Sequence, residues 1–179
     1  QAASARERIR SALKSCGYPL PPSRVTINIR PVDPSQPLLA AAYEPLDLPI
    51  ALTILACQRH IPAAALSSSL FVGELGLSGA LRPVNGALSL GYATKRIAAN
   101  KLYLPQANAA EATFSAPCAV YPLHSLDQAI QVLCRRQSLP AMPPAEPAKP
   151  LPPPSFLNAI RGQDIGKRLL MIAAAGWHN

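Results

Sequence analysis

Eight of the 21 prolines in this 179-residue chain fall between Pro140 and Pro154, in the run PAMPPAEPAKPLPPP. Proline fixes φ and donates no backbone hydrogen bond, so such a run enters neither a helix interior nor a ladder and acts as a stiff spacer. It divides the chain into a globular part over 1–137, a linker over 138–155 and the start of a second unit over 156–179.

Ahead of the linker, helical and strand patterns alternate. Ser4 to Cys16 reads as a helix with Ile9 and Leu13 four apart and Gly17 as its stop. From Arg24 to Arg30 the side chains alternate, Val25, Ile27 and Ile29 against Arg24, Thr26, Asn28 and Arg30, which predicts a half-buried strand. Asp47 is placed to cap a helix with Pro49 in its first turn and an apolar body from Ile50 to Cys57. Leu70 to Leu75 predicts a strand, Gly76 to Gly79 a turn, and Ala80 to Arg82 a short strand. Helices are expected over Ala87 to Ala98, Asn108 to Thr113 and Ser125 to Arg136, the last with a capping box of Ser125 and Gln128. Short strands at Lys101 to Leu104 and Ala119 to Tyr121 lie between them. This order predicts an α/β sandwich around one mixed sheet. Beyond the linker, Asp164 to Ala175 reads as a helix that cannot bury its apolar face alone.

Apolar residues make up 49% and charged ones 15%, enough apolar content for a sizeable core and against wholesale disorder. The longest uncharged apolar run, Leu48 to Cys57, is far short of the roughly 20 residues that span a bilayer. Gln1 to Ser15 carries four basic residues and no apolar segment of a secretory signal. A soluble, cytoplasmic domain is the expectation, and the absent initiator Met suggests a piece of something longer. Cys16, Cys57, Cys118 and Cys134 form no C-x-x-C pair and read as reduced thiols.

Several chemistries find no support. The stretch Gly162 to Arg168 looks like a phosphate-binding loop, but it has one residue too few between its glycines, and Arg168 stands where a Mg²⁺-binding hydroxyl belongs. His60, His124 and His178 sit at helix ends or the chain end, where histidine is usually solvated. The run Ser67 to Ser69 lacks the glycines of a nucleophile elbow. Carboxylates are sparse and form no close pair that suggests acid–base work or metal ligation.

The remaining signal is charge: 17 Lys and Arg against 9 Asp and Glu, a net +8. Arg6, Arg10 and Lys14 recur at i, i+4 and i+8, with Arg8 nearby, while Arg24 and Arg30 share the polar side of the next element. Such a surface holds phosphates without reading bases. It equally describes a solvated helix face.

Five segments in one order then resemble a known family. They are Pro21 to Ile29 (PPSRVTINI), Asp47 to Leu52 (DLPIAL), Gly73 to Leu88 (GELGLSGALRPVNGAL), Lys101 to Pro105 (KLYLP) with Asn108, and Arg161 to Gln163 (RGQ) with Ala173 to Asn179 (AAAGWHN). Together they resemble the N-terminal domain of magnesium-chelatase-like AAA+ ATPases of the YifB/ComM branch, cut just before the phosphate-binding loop of the ATPase module.

The resemblance implies a Lon-protease-like two-layer α/β sandwich, similar to domain 2 of ribosomal protein S5, over 1–137. Two strands that the family carries ahead of the Arg6 helix are missing, and the loop from Pro31 to Pro45 lacks the family's Lys and Gly. Lon-type peptidases use a Ser–Lys dyad. Here the matching positions hold Ile50 and Leu88, which can neither attack a carbonyl nor take a proton. By the same resemblance Ile160, Arg161, Gly162 and Gln163 border the adenine of ATP, with ATP and Mg as cofactors of the parent protein only. The parent is then expected to be a hexameric, ATP-driven DNA branch-migration motor of natural transformation, and this chain its non-sequence-specific DNA-holding part. A protein-binding adaptor or assembly domain is the alternative, and an unrecognised hydrolase a third.

Overall fold

The structure, a computed structural model, describes residues 4–22, 24–29, 44–145 and 160–176. The chain forms two compact units, 1–145 and 146–179.

In the first unit, helix α1 (Ala5–Ser15) opens on a capping box: the Ser4 hydroxyl accepts the Glu7 N–H, and the Glu7 carboxylate accepts the Ser4 N–H. It ends at Gly17, whose φ of 83° allows the reversed turn that closes the helix. Helix α2 (Asp47–Cys57) follows a 3₁₀ turn at Glu44–Leu46. Asp47 does not cap it, because Leu46 holds that position and the Asp47 carboxylate is engaged elsewhere.

The expected strand from Leu70 to Leu75 is two strands in two sheets. β1 (Ser69–Phe71) joins a parallel sheet, while β2 (Glu74–Leu75) pairs antiparallel with β3 (Leu81–Arg82). Gly73 lies between them, and a Cβ there would meet Leu81 Cδ2 at 2.6 Å. Then come α3 (Ala87–Arg96), β4 (Lys101–Pro105), α4 (Gln106–Thr113), β5 (Ala119–Leu123) and α5 (Leu126–Leu133). Ser125 caps α5 as expected, but Gln128 reaches back to the His124 N–H instead of closing a box.

The main sheet has the order β1-β4-β5, all parallel. Its central strand is buried on both faces, as a parallel strand between crossover helices must be. Tyr103 faces one cluster with Leu13 and Leu52 of α1 and α2 and Ile130 of α5. Leu102 and Leu104 face the other, with Ala87 of α3 and Ala109 and Ala112 of α4. Helices therefore cover both sides, where a two-layer sandwich was the expectation. Phe71, Tyr103 and Tyr121 stand at one register across the three strands, and their rings stack at 4.8 Å. Burial, then the neighbouring Tyr121, pushes the Tyr103 hydroxyl above its ordinary pKa.

Residues 24–29 correct the sequence reading. They join neither sheet, and Val25 and Ile27 are 42% and 50% exposed instead of half-buried in a ladder. An alternating sequence sets the face each side chain takes, but a strand needs a neighbour to pair with. In the second unit, α6 (Asp164–Gly176) buries no residue. Among the described residues no helix is long and apolar enough to cross a membrane.

Candidate nucleic-acid interface

The arrangement starts from an acid in an apolar run. Asp47 is the one charged residue between Glu44 and Arg59, and it is fully buried at the start of α2. Its Oδ2 accepts the Leu75 N–H at 3.1 Å and Arg8 Nε at 2.7 Å, and its Oδ1 accepts Arg8 Nη2 at 3.3 Å. Glu74 Oε1 lies 3.8 Å from Arg8 Nε and 3.2 Å from Arg82 Nη1. A forked guanidinium thus ties α1 to α2 and to the small hairpin.

With Arg8 turned inward, the other cations of α1 stay outside. Arg6, Arg10 and Lys14 are exposed and lie one helical turn apart, about 6 Å between neighbours. They line a groove of about 930 Å³ together with Arg24. The floor is apolar, with Ile9, Ile27, Ile50 and Ile54. Four of the five cations singled out in the sequence therefore meet on one groove; the fifth, Arg30, lies outside the described residues. Arg8 does not belong to this surface.

A second groove, about 640 Å³, runs along residues 24–29 and α2 beside Pro49, Ile50 and Ile54. Gln58 Oε1, which lines it, is buried with no hydrogen-bond partner among the described residues. Ile50 therefore sits on the floor of both grooves. Leu88 is 43% exposed in the first turn of α3, where its N–H donates to Glu111 Oε1 and its carbonyl accepts from Ser115 Oγ.

On the opposite side of the sheet, Asn108 is buried at 7% exposure and binds Val84 twice, accepting its N–H at 2.9 Å and donating to its carbonyl at 2.8 Å. The four cysteines are free, Cys57 exposed and the others half-buried. Burial, followed by the Asp127 charge, pushes the Cys16 thiol up, against a backbone hydrogen bond that lowers it. His60 packs its ring on Tyr18 at 4.8 Å, a structural use that suits a residue just past a helix end. Among the described residues no group of His, Cys, Asp or Glu is placed to hold a metal.

In the second unit, Ile160, Arg161, Gly162 and Gln163 are exposed and lead into α6. Gly162 and Gln163 have φ of 70° and 57°, and the Gln163 carbonyl accepts the Lys167 N–H. The Lys167 amine donates to the Ile160 carbonyl, so the lysine of the loop lookalike folds back on its own backbone. Trp177 to Asn179 lie outside the described residues.

Comparison with known proteins gives a consistent picture. Residues 1–108 match the family of subunit ChlI of Mg-chelatase. The chain is 36% identical over 176 residues to the uncharacterized protein YifB of Salmonella typhimurium, covering 98% of this chain and 33% of that protein. It is 34% identical over 179 residues to the competence protein ComM of Haemophilus influenzae, covering 98% and 34%. Against YifB of Escherichia coli it is 35% identical over 176 residues, covering 98% and 33%. The chain spans about a third of the length of these relatives.

Proposed function

The chain belongs to the magnesium-chelatase-like AAA+ family, in its YifB/ComM branch, and on that premise we propose that it is the DNA-holding part of an ATP-driven motor. The observation that carries the reading is the groove on which Arg6, Arg10, Lys14 and Arg24 converge. Cations spaced along one helix face suit a phosphate backbone.

In this reading the parent protein is a hexamer that migrates DNA branches during natural transformation, in the cytoplasm. Residues 1–137 take a Lon-like fold stripped of its chemistry, since Ile50 and Leu88 occupy the dyad positions. Residues 138–155 link it to the ATPase module, which 156–179 begins. ATP and Mg serve the parent: Ile160 with the backbone of 161–163 offers an apolar side chain and peptide groups, which suit an adenine ring and not a triphosphate.

Salt dependence tests the reading. Each phosphate neutralised adds about 0.7–0.9 to the slope of log K against log salt, so three or four of these cations give roughly −2 to −4. Fluorescence anisotropy with unrelated DNA sequences should return that slope for all of them. Replacing Arg6, Arg10 and Lys14 with Ala should flatten it equally for each sequence, while replacing Arg135 and Arg136 should do less. A triple variant that binds with the parent's slope would overturn the proposal. The second reading, a protein-binding adaptor, draws on the apolar groove beside residues 24–29 and predicts binding that salt does not weaken.

A further inference from the structure

Among the described residues of the first unit there are six aromatic side chains, and four of them, Tyr18, Phe71, Tyr103 and Tyr121, pack in one core cluster. The other two, Tyr92 of α3 and Phe114 at the end of α4, are 63% and 58% exposed, which is unusual for large rings. Gly91 brings their two helices together: a Cβ there would come within 2.9 Å of the Ala112 carbonyl oxygen and the Ala116 nitrogen. Ser115 Oγ closes the same contact by donating to the Leu88 carbonyl at 2.6 Å. Tyr92 follows Gly91 and Phe114 precedes Ser115, so each Cα is one step of about 3.8 Å from that contact. Leu88, exposed one turn before Tyr92, extends the apolar surface.

We propose that this patch stacks the bases of a single-stranded nucleic acid. Every base offers a π-face that an exposed ring can cover, and cations beside the rings hold the phosphates. The charge around the rings suits that partner. From Pro83 to Ser125 the chain carries three cations, Lys95, Arg96 and Lys101, all exposed, and one acid, Glu111, whose carboxylate accepts the Leu88 N–H. Lys95 and Arg96 stand in the last turn of α3, just beyond Tyr92. A duplex does not fit this surface, because its paired bases already cover one another's faces. The patch lies across the main sheet from the groove of α1, since α3 and α4 pack on the Leu102 side and α1 on the Tyr103 side. It is therefore a second surface, one that senses strandedness where the groove senses only phosphate. The choice of nucleic acid as occupant rests on the DNA reading; the place of the patch does not.

Fluorescence anisotropy of the 179-residue chain with labelled oligothymidylate and with a duplex of equal length tests this. Tyr92→Ala and Phe114→Ala should each weaken single-strand binding about tenfold and leave duplex binding unchanged. Tyr92→Phe, which keeps the ring, should bind as the parent does. Both positions are exposed, so unfolding midpoints should stay close to the parent's. Ultraviolet crosslinking should join thymidine to the peptides that hold Tyr92 and Phe114, identified by mass spectrometry. Alanine variants that bind the single strand like the parent, or crosslinks confined to other peptides, overturn the inference. If the Arg6, Arg10 and Lys14 variant loses duplex binding while the ring variants change nothing, the DNA reading stands and this inference falls. If the ring variants lose the single strand while that triple variant binds duplex like the parent, this inference stands without the groove. A chain that binds neither DNA overturns both. A dimer that Tyr92→Ala abolishes, with no single-strand binding, would assign the patch to protein and overturn the inference as well.

Discussion

The two faces of the main sheet are keyed by different chemistry. On one, the buried Asp47 carboxylate ties α1 and α2 to the Leu75 backbone through a guanidinium. On the other, the buried Asn108 amide ties α4 to the Val84 backbone just ahead of α3. Each side chain pins one backbone segment against one helix. They differ in what stays behind when the partner is lost: a buried charge on the first face, an unpaired neutral group on the second. Desolvating a charge costs far more than desolvating an amide, so the first face is held by an interaction that fails hard and the second by one that fails softly.

The largest effect expected is from Arg8→Ala, which strands the Asp47 carboxylate and should cost about 3–5 kcal/mol in urea unfolding. Adding Asp47→Ala to it should recover part of that loss, since the stranded charge goes too. Asn108→Ala should cost less, about 1–3 kcal/mol, from the Val84 N–H and carbonyl it leaves unpaired. Equal costs for the two single changes would break the contrast. Arg8→Ala and Asn108→Ala share no partner, so their effects should add within about 0.5 kcal/mol. The smallest effect is common to both faces. Arg59 past α2 and Ala98 past α3 close their helices at φ of 63° and 49°, a conformation that glycine adopts without the Cβ penalty. Arg59→Gly and Ala98→Gly should each raise stability by about 0.5–1 kcal/mol; a gain on one face only would show that local packing, not backbone, sets the helix end.

Much of this was legible in the chain. The glycine stop at Gly17 and the Ser125 cap of α5 are local signals, and helices α1, α3 and α5 lie within a few residues of their expected bounds. What failed depended on distant partners. Nothing within Leu70 to Leu75 says that Gly73 must admit Leu81 and so break the strand in two. Nothing within Arg24 to Ile29 says whether another strand lies alongside. For the candidate site, the helical repeat placed Arg6, Arg10 and Lys14 together, but Arg8 looked like one of them until Asp47 took it inward. A lone acid inside an apolar run was the available hint, because such a residue is buried only with a partner.

The stacked column of Phe71, Tyr103 and Tyr121 gives the sheet an optical record of its own alignment. Each strand contributes one ring, so a slip of any strand by one residue would turn its ring to the opposite face and uncouple it from its neighbour. The near-ultraviolet circular dichroism of the tyrosines then reports strand alignment, while the far-ultraviolet signal reports mainly the helices. If the aromatic signal fades first on heating, the strands slide before the helices melt. If both vanish together, the sheet and its two helical coats come apart as one cooperative body.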